Sequence, residues 1–326
     1  MKVSRLVQVV DTHTAGEPTR IVVGGLPPLP PGTVGEKARW LAENHDGLRR
    51  LIVQEPRGHV DMFAAFLLPP SRPEANWGLI FMHGGGYLSM CGHGTIGAAA
   101  ALRALGWLSG EEVAFDTPAG LVHCRLDREG NVTVRNVPAF YLGELSRGGL
   151  RVHLSYGGNL FALVDAGSCG IPLTPEALPE AVRLGLDIMG WANRKGGFRH
   201  PGTGRPLSVE LVEFYREGRP PRNVVIFGEG QVDRSPCGTG TCAKMAFLYS
   251  QGRLGLGEPY RYQGILGTEF LGRLVGETQV GDRVAVVPEI TGRAYVTGLG
   301  TLVLEEGDPF PEGFSLPRTS LFPKPE

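Results

Sequence analysis

The chain of 326 residues is poor in lysine and cysteine, carries almost no net charge and contains no long apolar run. Each shortage excludes something. A formal net charge of −1 leaves no basic surplus to neutralise phosphates, so nucleic acid is not an expected partner. No apolar stretch reaches the roughly 18 residues a membrane helix needs, and the N-terminus lacks the apolar core of a signal peptide. The expected compartment is the cytoplasm, with no membrane partner. Five cysteines with no C-x-x-C pair suit neither a disulfide framework nor a structural zinc site. The eight histidines show no H-x-x-x-H spacing, so no metal is expected. Lysine occurs only at Lys2, Lys37, Lys195, Lys244 and Lys324. Of these only Lys244 lies near a motif, and it reads as a helix-surface residue. A pyridoxal Schiff base is therefore not indicated.

What the chain has in quantity is glycine, 49 residues, and proline, 26, punctuating many short β-branched runs. Strands are expected in the alternating N-terminal segment and at Arg20–Val23, Leu51–Val53, Leu79–Met82, Val132–Val137, Val209–Phe214, Val224–Phe227 and Arg283–Val287. Helices are expected at Glu36–Asn44, Thr95–Leu105, Pro175–Trp191 and Thr241–Gln251. Leu26–Gly32 and Gly196–Pro206 read as surface loops. Many strands with few helices indicate a mixed α/β or α+β fold rather than a regular βαβ series. The length suits two domains.

An internal repeat supports two domains. Met90-Cys91-Gly92-His93-Gly94-Thr95 and Pro236-Cys237-Gly238-Thr239-Gly240-Thr241 both read x-C-G-x-G-T, and both open a helix of small residues. The cysteines stand 146 residues apart, nearly half the chain. The economical reading is two pseudo-equivalent domains, residues 1–148 and 149–298, with a last strand over about 299–326 returning to the first. A helix start leaves backbone N–H groups unpaired and carries partial positive charge, which lowers a thiol pKa and can hold a carboxylate. Flanking glycines let the backbone approach a ligand. Two such helix starts facing one another would place a sulfur on each side of an α-carbon. One thiolate removes the α-proton, the opposite thiol supplies another, and the carbon inverts. Cys124 and Cys169, outside the repeat, read as small buried residues, and Cys242 as packing.

The segments DTHTAGEPTRIVVGGLP (11–27), EPRGHVDMF (55–63), GGGYLSMCGHGTIGA (84–98), YGGNLFALV (156–164), RNVVIFGEGQVDRSPCGTGT (222–241) and ITGRAYVTG (290–298) resemble the proline racemase family. That family includes proline racemases, 4-hydroxyproline 2-epimerases and trans-3-hydroxyproline dehydratases. The resemblance implies a fold similar to diaminopimelate epimerase: two α/β domains, each with a central helix, and a site in the cleft between them. It implies that Cys91 and Cys237 are the paired acid and base, with no cofactor, and it suggests a homodimer. Gly92, His93, Gly238 and Thr239 would hold the substrate carboxylate, and Asp233 would accept from the ring ammonium. Dehydratases typically replace one cysteine by Ser or Thr, so two cysteines disfavour dehydration. Phe63 and Phe227 match the aromatic walls of proline racemases. An apolar wall offers a 4-hydroxyl no partner, at a cost of about 1–3 kcal/mol, so proline is the favoured substrate and 4-hydroxyproline the alternative. His83, before the glycine run, and Cys242 depart from the family pattern.

Rival readings fare worse. Gly92–Gly97 fits G-x-G-x-x-G and Gly238–Ala243 its alanine variant, but both copies follow a cysteine that dinucleotide binding does not require. His83–Gly86 resembles a hydrolase oxyanion loop, yet no G-x-S-x-G follows. A non-catalytic amino-acid-binding protein would explain the anion-holding helix starts but not the two thiols.

Overall fold

Alternation of apolar and polar residues from Val3 to Thr14 makes the first strand of a sheet-rich mixed α/β fold in the computed structural model, which describes residues 2–316. The expected return of the chain over 299–326 therefore has its last part, 317–326, outside the described residues. In chain order the elements are β1 (Val3–Thr14), β2 (Glu17–Gly24), α1 (Val34–Asn44), α2 (Asp46–Val53), β3 (Phe63–Leu68), β4 (Trp77–His83), β5 (Gly86–Leu88), α3 (Gly92–Ala104), β6 (Glu112–Thr117), β7 (Gly120–Leu126) and β8 (Asn131–Arg135). There follow β9 (Phe140–Arg147), β10 (Leu150–Tyr156), β11 (Leu160–Asp165), α4 (Leu178–Lys195), β12 (Val209–Arg216), β13 (Arg222–Phe227), β14 (Gln231–Asp233), α5 (Gly238–Ser250), β15 (Pro259–Gln263), β16 (Glu269–Val280) and β17 (Arg283–Glu305). Among the described residues no helix is long and apolar enough to cross a membrane.

The chain divides into two units, one of Met1–Ser89, Gly94–Val132 and Arg293–Glu326, the other of Met90–His93 and Thr133–Gly292. In the first, β1 pairs antiparallel with β2 and with residues 294–305 of β17, β2 runs parallel to β3, and β3 pairs antiparallel with β4. Val9, Val22, Ala64, Phe66, Ile80 and Met82 form one apolar face, packed with Leu41 of α1 and Leu51 and Ile52 of α2. On the other face Thr12 and Thr19 stand so close to α3 that a Cβ on Gly97 would lie 2.7 Å from Thr12 Oγ1. Burial on both faces explains why β3 reads as an unbroken apolar run.

The strand expected at Leu51–Val53 is instead the last turn of α2. Leu48, Leu51 and Ile52 recur at helical spacing, and Asp46 in the first turn pairs with Arg49 at 2.7 Å. The three-residue run was too short to reveal that period.

In the second unit β12 pairs parallel with β11 and antiparallel with β13, which continues into β14. Side chains alternate between the two faces of this sheet. Val212, Phe214, Val224, Ile226 and Val232 pack with Ala181, Ile188 and Ala192 of α4. The opposite face carries Glu213, Val225 and Asp233, joined in one row by the register Glu213↔Val225↔Asp233, and it meets α5. That face carries Asp233, which belongs to the site described below.

Candidate active site

Both repeat cysteines begin a helix of thirteen residues, and both are buried. Met90–His93, the start of α3, groups with the second unit, which also contains Cys237. Asn159 clamps Met90 from both sides: its Oδ1 accepts from Met90 N at 3.3 Å and its Nδ2 donates to Met90 O at 2.6 Å. Gly158, at φ +110°, approaches so near that a Cβ there would lie 2.6 Å from Met90 Cβ. The two helix starts meet at their glycines. A Cβ on Gly92 would lie 2.6 Å from Gly238 Cα, and one on Gly238 would lie 2.7 Å from Gly92 Cα. Any other residue at either place would drive the helix starts apart.

A polar chain runs between the cysteines. Cys91 Sγ lies 3.3 Å from His93 Nδ1 and 3.5 Å from Nε2. His93 Nδ1 is 3.7 Å from Asp233 Oδ2. Asp233 Oδ1 accepts from Ser235 N at 2.8 Å and from Ser235 Oγ at 2.7 Å, and Ser235 Oγ accepts from Cys237 N at 3.1 Å. Cys237 closes the chain with φ +58°, caps its own helix by accepting from Gly240 N at 3.4 Å, and has Thr239 Oγ1 3.8 Å from its sulfur.

Electrostatics correct one sequence expectation. A helix start favours thiolate, yet the Cys237 thiol is pushed well above its ordinary value, first by burial and then by Asp233 and Glu213, with Cys91 adding to the same direction. The Gly240 N–H opposes them weakly. Desolvation and nearby carboxyls outweigh the helix terminus, so unliganded Cys237 is a thiol. Burial likewise lowers His93 to about 4 despite Asp233, and the ring is neutral at physiological pH.

The structure thus gathers Cys91, Gly92, His93, Asp233, Cys237, Gly238 and Thr239 in one unit. Phe227 belongs to the same unit, buried at the end of β13 on the sheet face that carries Asp233. Phe63 belongs to the other unit, buried on β3 opposite His83, with the two rings stacked at 6.2 Å. Cys124 and Cys242 are buried as expected, whereas Cys169 is half-exposed on the turn after β11, where its sulfur lies 3.5 Å from the Asp165 carbonyl oxygen. Lys244 is not a surface residue: α5 is buried throughout its central turns, and the ammonium sits over the Tyr215 ring at 3.0 Å and donates to Glu217 Oε1 at 3.0 Å. Among the described residues no three His, Cys, Asp or Glu side chains converge as a metal-ligand set.

Sequence reasoning missed Ser235, Asn159 and Glu213. Ser235 was signalled by alternation in Asp233-x-Ser235-x-Cys237. For Glu213 the signal was strand parity: Glu210 and Glu213 occupy opposite faces of β12, so a strand packed on both sides must bury one of them. Asn159 carried no comparable signal.

The sequence profile described as proline racemase matches residues 9–315. A proline racemase of Clostridioides difficile is 44% identical over 97% of this chain and 100% of its own length. A 4-hydroxyproline 2-epimerase of Streptosporangium roseum is 40% identical with the same coverage. A crystal structure of a hydroxyproline epimerase from Agrobacterium vitis with bound trans-4-hydroxy-L-proline superposes with a TM-score of 0.91 at 31% identity, covering 97% of each chain.

Proposed function

Since this chain belongs to the proline racemase family, we propose that it interconverts L- and D-proline by proton transfer between two cysteines, without a cofactor. The observation that carries this reading is the joining of Cys91 and Cys237 by one polar chain at two helix starts that touch through Gly92 and Gly238. Backbone N–H groups of Gly92, His93, Gly238 and Thr239 hold the substrate carboxylate, where the helix ends also stabilise the charge that develops as the α-proton leaves. Asp233 accepts from the ring ammonium.

Cys237, held as a thiol, starts as the acid, and Cys91 as the base. A neutral His93 with its N–H toward the Cys91 sulfur stabilises that thiolate. Cys91 takes the α-proton on one face of the carbon while Cys237 delivers its proton to the other. The product leaves with inverted configuration, and the two sulfurs have exchanged protonation states. Each positioned acid or base contributes about 10²–10⁴ in rate.

A 4-hydroxyproline 2-epimerase using the same residues is the second reading. A relative named 4-hydroxyproline 2-epimerase, 40% identical over 97% of this chain, supports it. Chiral chromatography with L-proline and with trans-4-hydroxy-L-proline, no cofactor added, separates the two. Racemisation of proline, lost in Cys91→Ser and in Cys237→Ser, supports the first. Turnover of hydroxyproline alone supports the second, and inactivity on both sinks the two-thiol mechanism.

A further inference from the structure

Behind the Cys237 helix start lies a carboxyl that the proposed mechanism does not use. Glu213 is completely buried on β12. Its Oε1 accepts from Tyr262 Oη of β15 at 2.5 Å. Its Oε2 reaches the first turn of α5, where a Cβ on Gly240 would lie 2.4 Å from that oxygen and 3.1 Å from Cys237 Sγ. Gly240 alone thus separates the carboxyl from the sulfur. Among the described residues, Glu213 Oε2 meets no hydrogen-bond donor.

Asn223 has the complementary problem. It lies on β13, diagonal to Glu213 on the same sheet face and within hydrogen-bond reach of it. Its Nδ2 donates to Pro236 O at 2.8 Å, just before Cys237, which fixes the orientation of the amide. Its Oδ1 is buried without a partner among the described residues. Two unmatched buried acceptors on neighbouring side chains are unfavourable, since each unmatched buried polar group carries its desolvation penalty. A single proton on the carboxyl turns one into a donor and satisfies both.

We propose that Glu213 is held as a neutral carboxylic acid donating to Asn223 Oδ1, and that in this form it is a positioning residue for Cys237. It braces the first turn of α5 and the Pro236 segment without setting a second negative charge beside the sulfur. The groups that face it are Tyr262 of β15, Asn223 of β13, Asp233 of β14, and Lys244 and Cys237 of the α5 segment. Burial raises Glu213 to about 7 against the opposing pull of Tyr262, Lys244 and Asn223. Lys244 is engaged by Glu217 and the Tyr215 ring, so it does not form a direct ion pair with Glu213. Ionising Glu213 therefore puts charge next to Cys237 and makes its thiol harder to deprotonate.

The inference concerns Cys237 acidity and rests on the two-thiol reading only in giving that acidity a purpose, so its test uses no turnover. Infrared spectra of the whole protein with carboxyl-labelled glutamate should show a label-sensitive protonated carboxyl band at pH 6 that disappears by pH 9. The component from Glu213 should shift in Asn223→Leu and be lost in Glu213→Gln, which leaves only that of Glu210, a second carboxyl that burial raises to about 7. In a Cys91→Ser background, Glu213→Gln should leave the iodoacetamide alkylation rate of Cys237 unchanged at pH 6 and raise it about tenfold at pH 9, where the parent carboxyl is ionised. No glutamate band at pH 6, a band indifferent to Asn223→Leu, or equal acceleration at both pH values would overturn the proposal. The shift caused by Asn223→Leu decides the question even if the Gln variant does not fold, since Glu210 lies on the opposite face of β12 from Asn223. A parent protein that shows the band but, in the separate chromatographic assay, inverts neither proline nor hydroxyproline would count against the two-thiol reading instead.

Discussion

At the start of α3 the Cys91 sulfur has the His93 imidazole against it at 3.3 Å; at the matching place in α5 stands Thr239, whose hydroxyl is 3.8 Å from Cys237. The glycines on either side are the same, and so is the length of the helix. The difference teaches that the repeat supplies a frame for two buried thiols but not their protonation states. Those come from outside the repeat. Cys237 is kept protonated by burial and by Asp233 beside it, whereas Cys91 meets a neutral ring able to donate to a thiolate. The racemisation proposed above needs such an inequality at rest, because one thiol and one thiolate make a working pair and two of either kind do not.

Removing a sulfur is the coarsest way to break the comparison. Cys91→Ser and Cys237→Ser should each lower racemisation by about 10²–10⁴, similar losses despite different surroundings, measured by chiral chromatography of proline. A loss confined to one variant would mean that a single base and water carry the reaction.

The next largest effect belongs to His93. An unfolded histidine titrates near about 6.5 and the buried ring near about 4, so between those values the unfolded chain holds a proton that the folded one does not. Stability should therefore fall as pH drops from about 6.5 to about 4, and His93→Gln should remove about 3 kcal/mol of that fall. Urea denaturation at pH 7 and pH 4 reads it directly. An unchanged pH dependence in the variant would mean that His93 is charged in the fold.

Gly240→Ala should destabilise the protein by about 1–3 kcal/mol, since its Cβ would press on both Glu213 and Cys237. Thermal unfolding measures this, and a variant as stable as the parent would show that the first turn of α5 yields freely. The smallest effect sharpens the comparison rather than breaking it. Asp233→Asn in a Cys91→Ser background should speed alkylation of Cys237 about tenfold at pH 8, roughly one pKa unit, because the strongest carboxylate influence on that thiol is gone. Slower alkylation would show that Asp233 acts on Cys237 through Ser235 and geometry, not through its charge.

How much of this could be read in the sequence follows the range of the forces involved. Local patterns were legible: the alternation of β1, the strand at Val224–Phe227 and the glycine-flanked cysteines at two helix starts. The run at Leu51–Val53 misled because three β-branched or apolar residues do not distinguish a strand from the end of a helix. Lys244 misled for a longer-range reason. Nothing next to it in sequence announces Tyr215 or Glu217, which reach it from β12 and the turn beyond. The acidity of Cys237 was misjudged on the same ground: the helix terminus is written in the motif, whereas burial and Glu213 are products of the tertiary fold.

The path of β17 bears on how the protein is made. Its residues 294–305 pair with β1, so β1 waits for a partner that is synthesised nearly 300 residues later. The segment Thr133–Gly292 has most of its partners near it in sequence and can begin folding while synthesis continues. The first unit cannot be completed until β17 emerges, and pairings of such long sequence separation form slowly. During that interval one edge of β1 offers unpaired backbone groups to any strand that meets it. The order of assembly then runs against the order of synthesis, with the unit that contains β1 finishing after the segment Thr133–Gly292 and staying exposed to aggregation until β17 emerges.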